Sequence, residues 1–154
     1  MRTCSTCALV VVEPEDHWGP VLRRALQGRS LSVLECRSLA ECERHLAVFP
    51  WSVVALFATP ENSHSVVAFL TGLRQRWEHA WGVGLVSVEA IALEPLLREA
   101  GAVDVLCSVL QADRLIRLAQ RQAAKAPRQR RAGEDWPQAL LPWGPRSASE
   151  AGNG

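Results

Sequence analysis

Five short, almost wholly apolar runs alternate with five amphipathic ones along the first 123 residues. Residues 8–12 are Ala8, Leu9 and three valines, a β-branched run that predicts a strand buried on both faces. Residues 31–36, 51–59, 83–87 and 103–107 predict four more strands of the same kind. The segments between them carry apolar residues at helical spacing. Residues 18–27 have Pro20 in the first turn and Val21, Leu22, Ala25 and Leu26 as the inward stripe. Residues 38–48 open with Ser38 and Glu41 at capping-box spacing. Residues 63–79 repeat Val66, Val67, Phe69, Leu70, Leu73 and Trp77. Residues 89–99 contain Pro95, which predicts a kinked or shortened helix. Residues 113–123 turn Leu115, Ile116, Leu118 and Ala119 inward. Gly28, Pro50 and Gly101 are the stops. Strand then helix, five times over with short connections, predicts a single α/β domain with a parallel sheet covered on both faces.

Past residue 124 the pattern fails. Residues 126–131 are basic and Pro-containing, and residues 132–154 are rich in Gly, Pro, Ser and Ala, which predicts a disordered tail over 124–154. Residues 1–7 are a short N-terminal extension and residues 8–123 the domain. Charge changes at the same boundary: residues 1–120 carry 11 basic and 13 acidic side chains, residues 121–154 carry 6 and 3, and the whole chain of 154 residues is at +1. Arg128, Arg130 and Arg131 are too few and too flexible for more than weak, salt-sensitive contact with a polyanion, so no nucleic-acid partner is expected. Within the tail, Trp136, Leu140, Leu141 and Trp143 form one apolar motif that favours docking on a partner or on the domain itself. No apolar run reaches membrane-helix length and none follows the N-terminus as a secretion signal would. A cytoplasmic protein with reduced thiols is expected, despite its five cysteines.

In a parallel α/β sheet, ligands bind at the carboxyl ends of the strands. The first strand ends in Glu13, Pro14, Glu15 and Asp16, whose three carboxylates are the only candidates for a hard cation. They equally suit a loop that caps the first helix at its positive end. The fourth strand ends at Ser87, a hydroxyl for an oxyanion or a cap for the next helix. Cys4 and Cys7 form a lone CxxC without the further ligands zinc needs. Cys36, Cys42 and Cys107 read as core or near-core residues. His17, His45, His64 and His79 have no partner at telling spacing, and nothing in the sequence brings Ser87, His64 and Asp104 together. No glycine-rich phosphate loop follows the first strand, which argues against a nucleotide site.

These landmarks make residues 8–122 similar to the response-regulator receiver family, the CheY-like domains. Residues 8–16 resemble that family's first strand and acidic loop, and residues 50–60 its third strand with the following Pro60. Ser87 resembles the hydroxyl residue ending the fourth strand, and residues 101–106 the Gly-Ala run into the fifth. The resemblance implies a flavodoxin-like sheet of order 2-1-3-4-5. It also places the phosphoaccepting aspartate at Leu56, the second acid of the metal pair at Pro14, the lysine at Ser108 and the proline after it at Val109. Residues 51–60 hold no Asp or Glu, so a one-residue slip would not supply an acceptor, and the only lysine is Lys125. Phosphoryl transfer needs a nucleophilic oxygen and cations for the phosphate charge; of these parts Glu13 and Ser87 alone keep their type. The expectation is a degenerate receiver, non-enzymatic and without cofactor, acting in two-component-type signalling by protein–protein contact. The resemblance points to the fourth helix, fifth strand and fifth helix as the surface for a signalling partner or a homodimer. No DNA-binding domain follows, so output is expected to pass through another protein. The alternative is a small ligand-binding or enzymatic protein on the same scaffold, using Glu13, Glu15, Asp16 and Ser87.

Overall fold

The computed structural model describes residues 4–129. Residues 5–127 form one compact unit. Its strands are β1 (Leu9–Val12), β2 (Val33–Cys36), β3 (Val53–Ala58), β4 (Trp81–Val86) and β5 (Asp104–Leu106). They pair in parallel in the order β2-β1-β3-β4-β5, the order the resemblance implied. The helices are α1 (Trp18–Ala25), α2 (Leu39–Val48), α3 (Ser63–Arg76), α4 (Glu94–Glu99) and α5 (Ala112–Lys125). Two two-residue strands, Cys4–Ser5 and Arg128–Gln129, make a separate sheet. The apolar tail motif, Trp136, Leu140, Leu141 and Trp143, lies outside the described residues.

The period-2 alternation of the strands sorts the core into two layers. Val10, Val12, Val54 and Leu56 face one way, onto Cys42, Leu46, Val66, Leu70 and Leu97 of α2, α3 and α4. Leu9, Val11, Val53 and Ala55 face the other, onto Trp18, Leu22, Leu115, Ile116 and Ala119 of α1 and α5. This two-sided burial is why β1 and β3 are apolar at almost every position.

The boundaries differ from the periodicity in instructive places. The stretch expected as one helix over 89–99 is a 3-10 segment, Val88–Leu93, followed by α4, with Pro95 in the first turn of α4. A proline there sacrifices no helix hydrogen bond, so the chain starts its α-helix at the residue that was expected to break one. The third helix stops at Arg76 rather than 79, because Trp77 turns out of helical backbone (φ −136°, ψ 84°) while its ring packs against the core. β4 starts at Trp81, two residues before the expected 83, since Trp81 donates its N–H to the Ser52 carbonyl and extends the ladder. Gly28 (φ +80°) and Gly101 (φ +117°) are the left-handed turns that close α1 and α4, as their positions in the pattern predicted. Gly84 serves closeness instead: a Cβ there would lie 2.9 Å from Leu97 Cδ1, so its absence lets α4 approach the sheet.

Candidate functional site

The carboxyl ends of β1, β3, β4 and β5 surround a cleft of about 550 Å3. Trp18, Phe57, Val86, Val88, Val109 and the Cys107 thiol give it mostly apolar walls; Glu13, Glu15, His17, Ser87 and Ser108 supply its polar groups. Parallel strands ending together, with helices starting beyond them, produce such a depression whatever its lining.

Glu13 decides its electrostatics. The residue is 3% exposed. One carboxylate oxygen accepts the backbone N–H groups of His17 (3.1 Å), Trp18 (3.0 Å) and Gly19 (2.9 Å), and the other accepts from Trp18 as well (3.0 Å). The first turn of a helix presents N–H groups with no intrahelical partner, at the positive end of the peptide dipoles. Glu13 fills that anion site from within the chain.

The other carboxylates of the loop go elsewhere. Asp16 pairs with the Arg37 guanidinium, which also donates to the Glu13 carbonyl at 3.2 Å. That hydrogen bond to Asp16 raises the Arg37 pKa above its already high ordinary value. Glu15 and Pro14 are exposed. Within the loop, then, Glu13 caps α1 and Asp16 is held by Arg37. Among the described residues no three His, Cys, Asp or Glu side chains gather to hold a metal ion.

Leu56 lies in β3, in register with Val12 and Gly84, and is 0% exposed. Ser87 follows β4 half-buried; its carbonyl accepts from Ala90 N–H at 3.0 Å, while its hydroxyl makes no capping bond. The side-chain cap considered for Ser87 is therefore absent, because its carbonyl closes the turn. Ser108 does cap: its Oγ accepts from Leu110 N–H at 3.2 Å and starts a 3-10 turn, Val109–Gln111, ahead of α5. The Ser87, His64 and Asp104 grouping does not form. Asp104 is taken by Arg114 at 2.7 Å and by Arg98 at 3.4 Å.

Three participants are not among the candidates that the sequence pattern singled out. Arg37 ties the ends of β1 and β2 across 21 residues of chain. Asn62 shapes the β3–α3 loop: its side chain accepts from Thr59 N–H at 2.7 Å and donates to the Phe57 carbonyl at 2.9 Å. The signal for it was an Asn directly before a helix-like run. The apolar walls are the third, since their residues come from four separate segments.

Thiol chemistry distinguishes the cleft from the core. Burial pushes Cys7 up to about 11. It does the same for Cys36, about 11, where Glu41 adds to the rise and Arg44 opposes it. Burial raises Cys42 further still. Cys107 is half-exposed at the cleft. The thiolate is the reactive form, so iodoacetamide at pH 8, read by peptide mass mapping, should alkylate Cys107 at least ~100-fold faster than Cys7, Cys36 or Cys42. Equal rates at the four would show that the core opens as readily as the cleft.

Several solved structures share this architecture. One is a CheY-like protein (tadZ) from Pseudomonas aeruginosa PAO1, with a TM-score of 0.62, 21% sequence identity, and alignment over 75% of this chain and 98% of that one. Another is a response regulator from Thermotoga maritima, with a TM-score of 0.63, 15% identity, and alignment over 76% and 97%. No protein-family model and no curated protein sequence matches the chain. The fold is that of the CheY-like receiver domains.

Proposed function

We propose that the chain is a degenerate receiver domain, a cytoplasmic, non-enzymatic signalling module that works through protein contacts and is not phosphorylated on aspartate. One observation carries most of this: the strand position that the receiver resemblance assigns to the acceptor is Leu56, without an oxygen and 0% exposed. Its surroundings agree. Pro14 and Ser108 stand at the second acid and lysine positions, and Glu13, the remaining acid, is used up by the N–H groups of α1.

The partner surface we assign is the one formed by α4, β5 and α5, for another signalling protein or a second copy of the chain. Exposed apolar side chains accumulate there and just beside it: Ile91 (42% exposed), Leu96 (43%), Val103 (38%) and Leu110 (91%). Beside them Asp104 holds Arg98 and Arg114 in one charged cluster. Apolar side chains ringed by such charges suit a protein partner. The tail motif of Trp136, Leu140, Leu141 and Trp143 is a second candidate contact. No helix among the described residues is long and apolar enough to cross a membrane.

The test is intact-mass measurement of the full chain after incubation with Mg²⁺ and acetyl phosphate. The expected result is an unchanged mass. A gain of one phosphate would overturn the proposal, whichever side chain carried it.

A second reading, ligand binding on the same scaffold, is favoured by the cleft itself. It would use Ser87 and the apolar walls, and it would not use the acidic loop as a whole, because Asp16 and Glu13 are already paired.

A further inference from the structure

We infer that the strand-end cleft binds small apolar amines and rejects anions, the reverse of a phosphate site. This deepens the reading above and rests on it in one respect, that the cleft is not required for a phosphoryl group.

Size and walls set the body of the ligand. A cleft of about 550 Å3 lies in the range that takes a drug-sized molecule. Trp18, Phe57, Val86, Val88 and Val109 give it an apolar lining, against which an aromatic or branched aliphatic body loses water on both sides. Ser87 and Ser108 add two hydroxyls at the strand ends.

Charge sets the head group. No Lys or Arg lines the cleft, whereas Glu13 and Glu15 do. The feature that would ordinarily attract an anion here, the start of α1, is already filled by the Glu13 carboxylate through four hydrogen-bond contacts with three N–H groups. An entering phosphate or carboxylate therefore meets one exposed carboxylate, Glu15, and a buried one, with no Lys or Arg beside them and His17 as the one basic side chain in the lining. Arg37, the nearby guanidinium at the end of β2, faces Asp16 and lines a different, smaller depression. An ammonium group on an apolar body finds the opposite: a free carboxylate at the mouth and greasy walls behind it.

Three probes share one ring system and differ in charge: tryptamine, indole and indole-3-propionate, with inorganic phosphate as a fourth. Each would be titrated into the full-length, 15N-labelled protein at pH 7, with backbone amide shifts read at Ser87, Val88, Cys107 and Ser108. Tryptamine is expected to shift these amides with a fragment-like Kd, on the order of 1 mM or below. Indole-3-propionate is expected to bind about tenfold more weakly, and phosphate not at all. Val88→Arg puts a cation at the mouth, at a position 69% exposed where the fold tolerates it; it should invert the order of tryptamine and indole-3-propionate while leaving the rest of the spectrum in place. The inference fails if tryptamine leaves the cleft amides unmoved at 10-fold above that concentration, or moves amides elsewhere instead. It fails equally if indole-3-propionate or phosphate binds the unmodified protein as tightly as tryptamine, or if Val88→Arg folds and changes nothing. These failures are separate from that of the signalling proposal: phosphate gained from acetyl phosphate would overturn the latter and leave the amine affinity as measured, and loss of amine binding would leave the unphosphorylated mass unchanged.

Discussion

Leu56→Asp should lose roughly 3–5 kcal/mol of folding stability at pH 7 and gain no phosphate from acetyl phosphate. Leu56 is 0% exposed and belongs to the core cluster that also holds Val54, Leu97 and the inward side chains of α2 and α3. Shortening it removes contacts and leaves a void, a loss of about 2–5 kcal/mol for Leu to Ala in well-packed cores. A carboxylate adds the desolvation of a charge, which the protein evades by keeping the acid protonated. Arg37 lines the same small depression as Leu56, but its guanidinium is committed to Asp16 and the Glu13 carbonyl. The sign of the pH dependence follows. The folded-state pKa of Asp at this position would be raised above the unfolded value of about 3.9, so the variant holds more protons folded than unfolded. Its stability relative to the parent should fall as pH rises from about 4 through that raised pKa. Leu56→Asn supplies the control, with similar volume and no titration. Denaturant unfolding of the three proteins at pH 4.5 and 7.5 measures both effects. If Leu56→Asp is as stable as the parent and no more pH-dependent than Leu56→Asn, then the strand end is wetter and looser than its burial indicates. If it becomes phosphorylated, then phosphotransfer here does not need the lysine and second acid that the receiver resemblance would place at Ser108 and Pro14.

The fold was legible because its core is two-sided. Runs such as residues 8–12 and 53–58 have no polar face, and only a sheet covered by helices on both sides buries them. Glycines and prolines punctuated the rest. Where the reading slipped, a tertiary contact had overruled a local pattern. Trp77 continues the helical spacing of α3, yet its ring turns to the core and ends the helix at Arg76. Pro95 breaks the apolar pattern of 89–99, yet the chain meets it by running Val88–Leu93 as a 3-10 segment and beginning α4 at Glu94.

The site was less legible than the fold. That Leu56, Pro14 and Ser108, where the receiver resemblance puts the acceptor, the second acid and the lysine, carry no such group is visible residue by residue. That a cleft remains there with apolar walls is not, since Trp18, Phe57, Val88 and Val109 share no sequence window and meet only through strand order. Loop chemistry was ambiguous for a similar reason. Glu13, Glu15 and Asp16 look equivalent in the sequence, but their partners lie on different elements: the N–H groups of α1 for Glu13, and Arg37 beyond β2 for Asp16. The spacing from Glu13 to the N–H donors it accepts from, four to six residues, is longer than a cap residue uses, and the formal N-cap, His17, makes no side-chain cap bond at all.

Glu13→Ala is expected to be the second most damaging substitution, with a loss of roughly 2–4 kcal/mol. The change strands the N–H groups of Trp18 and Gly19, which belong to buried residues to which water has little access, and leaves the His17 N–H with the Glu15 carbonyl alone. An uncompensated buried donor costs about 1–3 kcal/mol, and bonds to an ionised acceptor are the stronger kind. Glu13→Gln keeps the shape and one carbonyl oxygen, so it should lose about 1–2 kcal/mol, and the difference between the two variants isolates the hydrogen bonds from the charge. A second consequence distinguishes a cap from a residual metal acid. If Glu13 serves α1, then hydrogen exchange at the amides of residues 17–19 should speed up sharply in Glu13→Ala, and Mg²⁺ at millimolar concentration should leave the parent's stability where it was. If instead Mg²⁺ stabilises the parent by an amount that disappears in Glu13→Ala, then the carboxylate leaves its helix to bind the ion. Removing it also empties the start of α1, so the variant's cleft should tolerate an anion that the parent's rejects, with indole-3-propionate gaining on tryptamine. One side chain would then account for both the fastening of α1 and the charge preference of the cleft beside it.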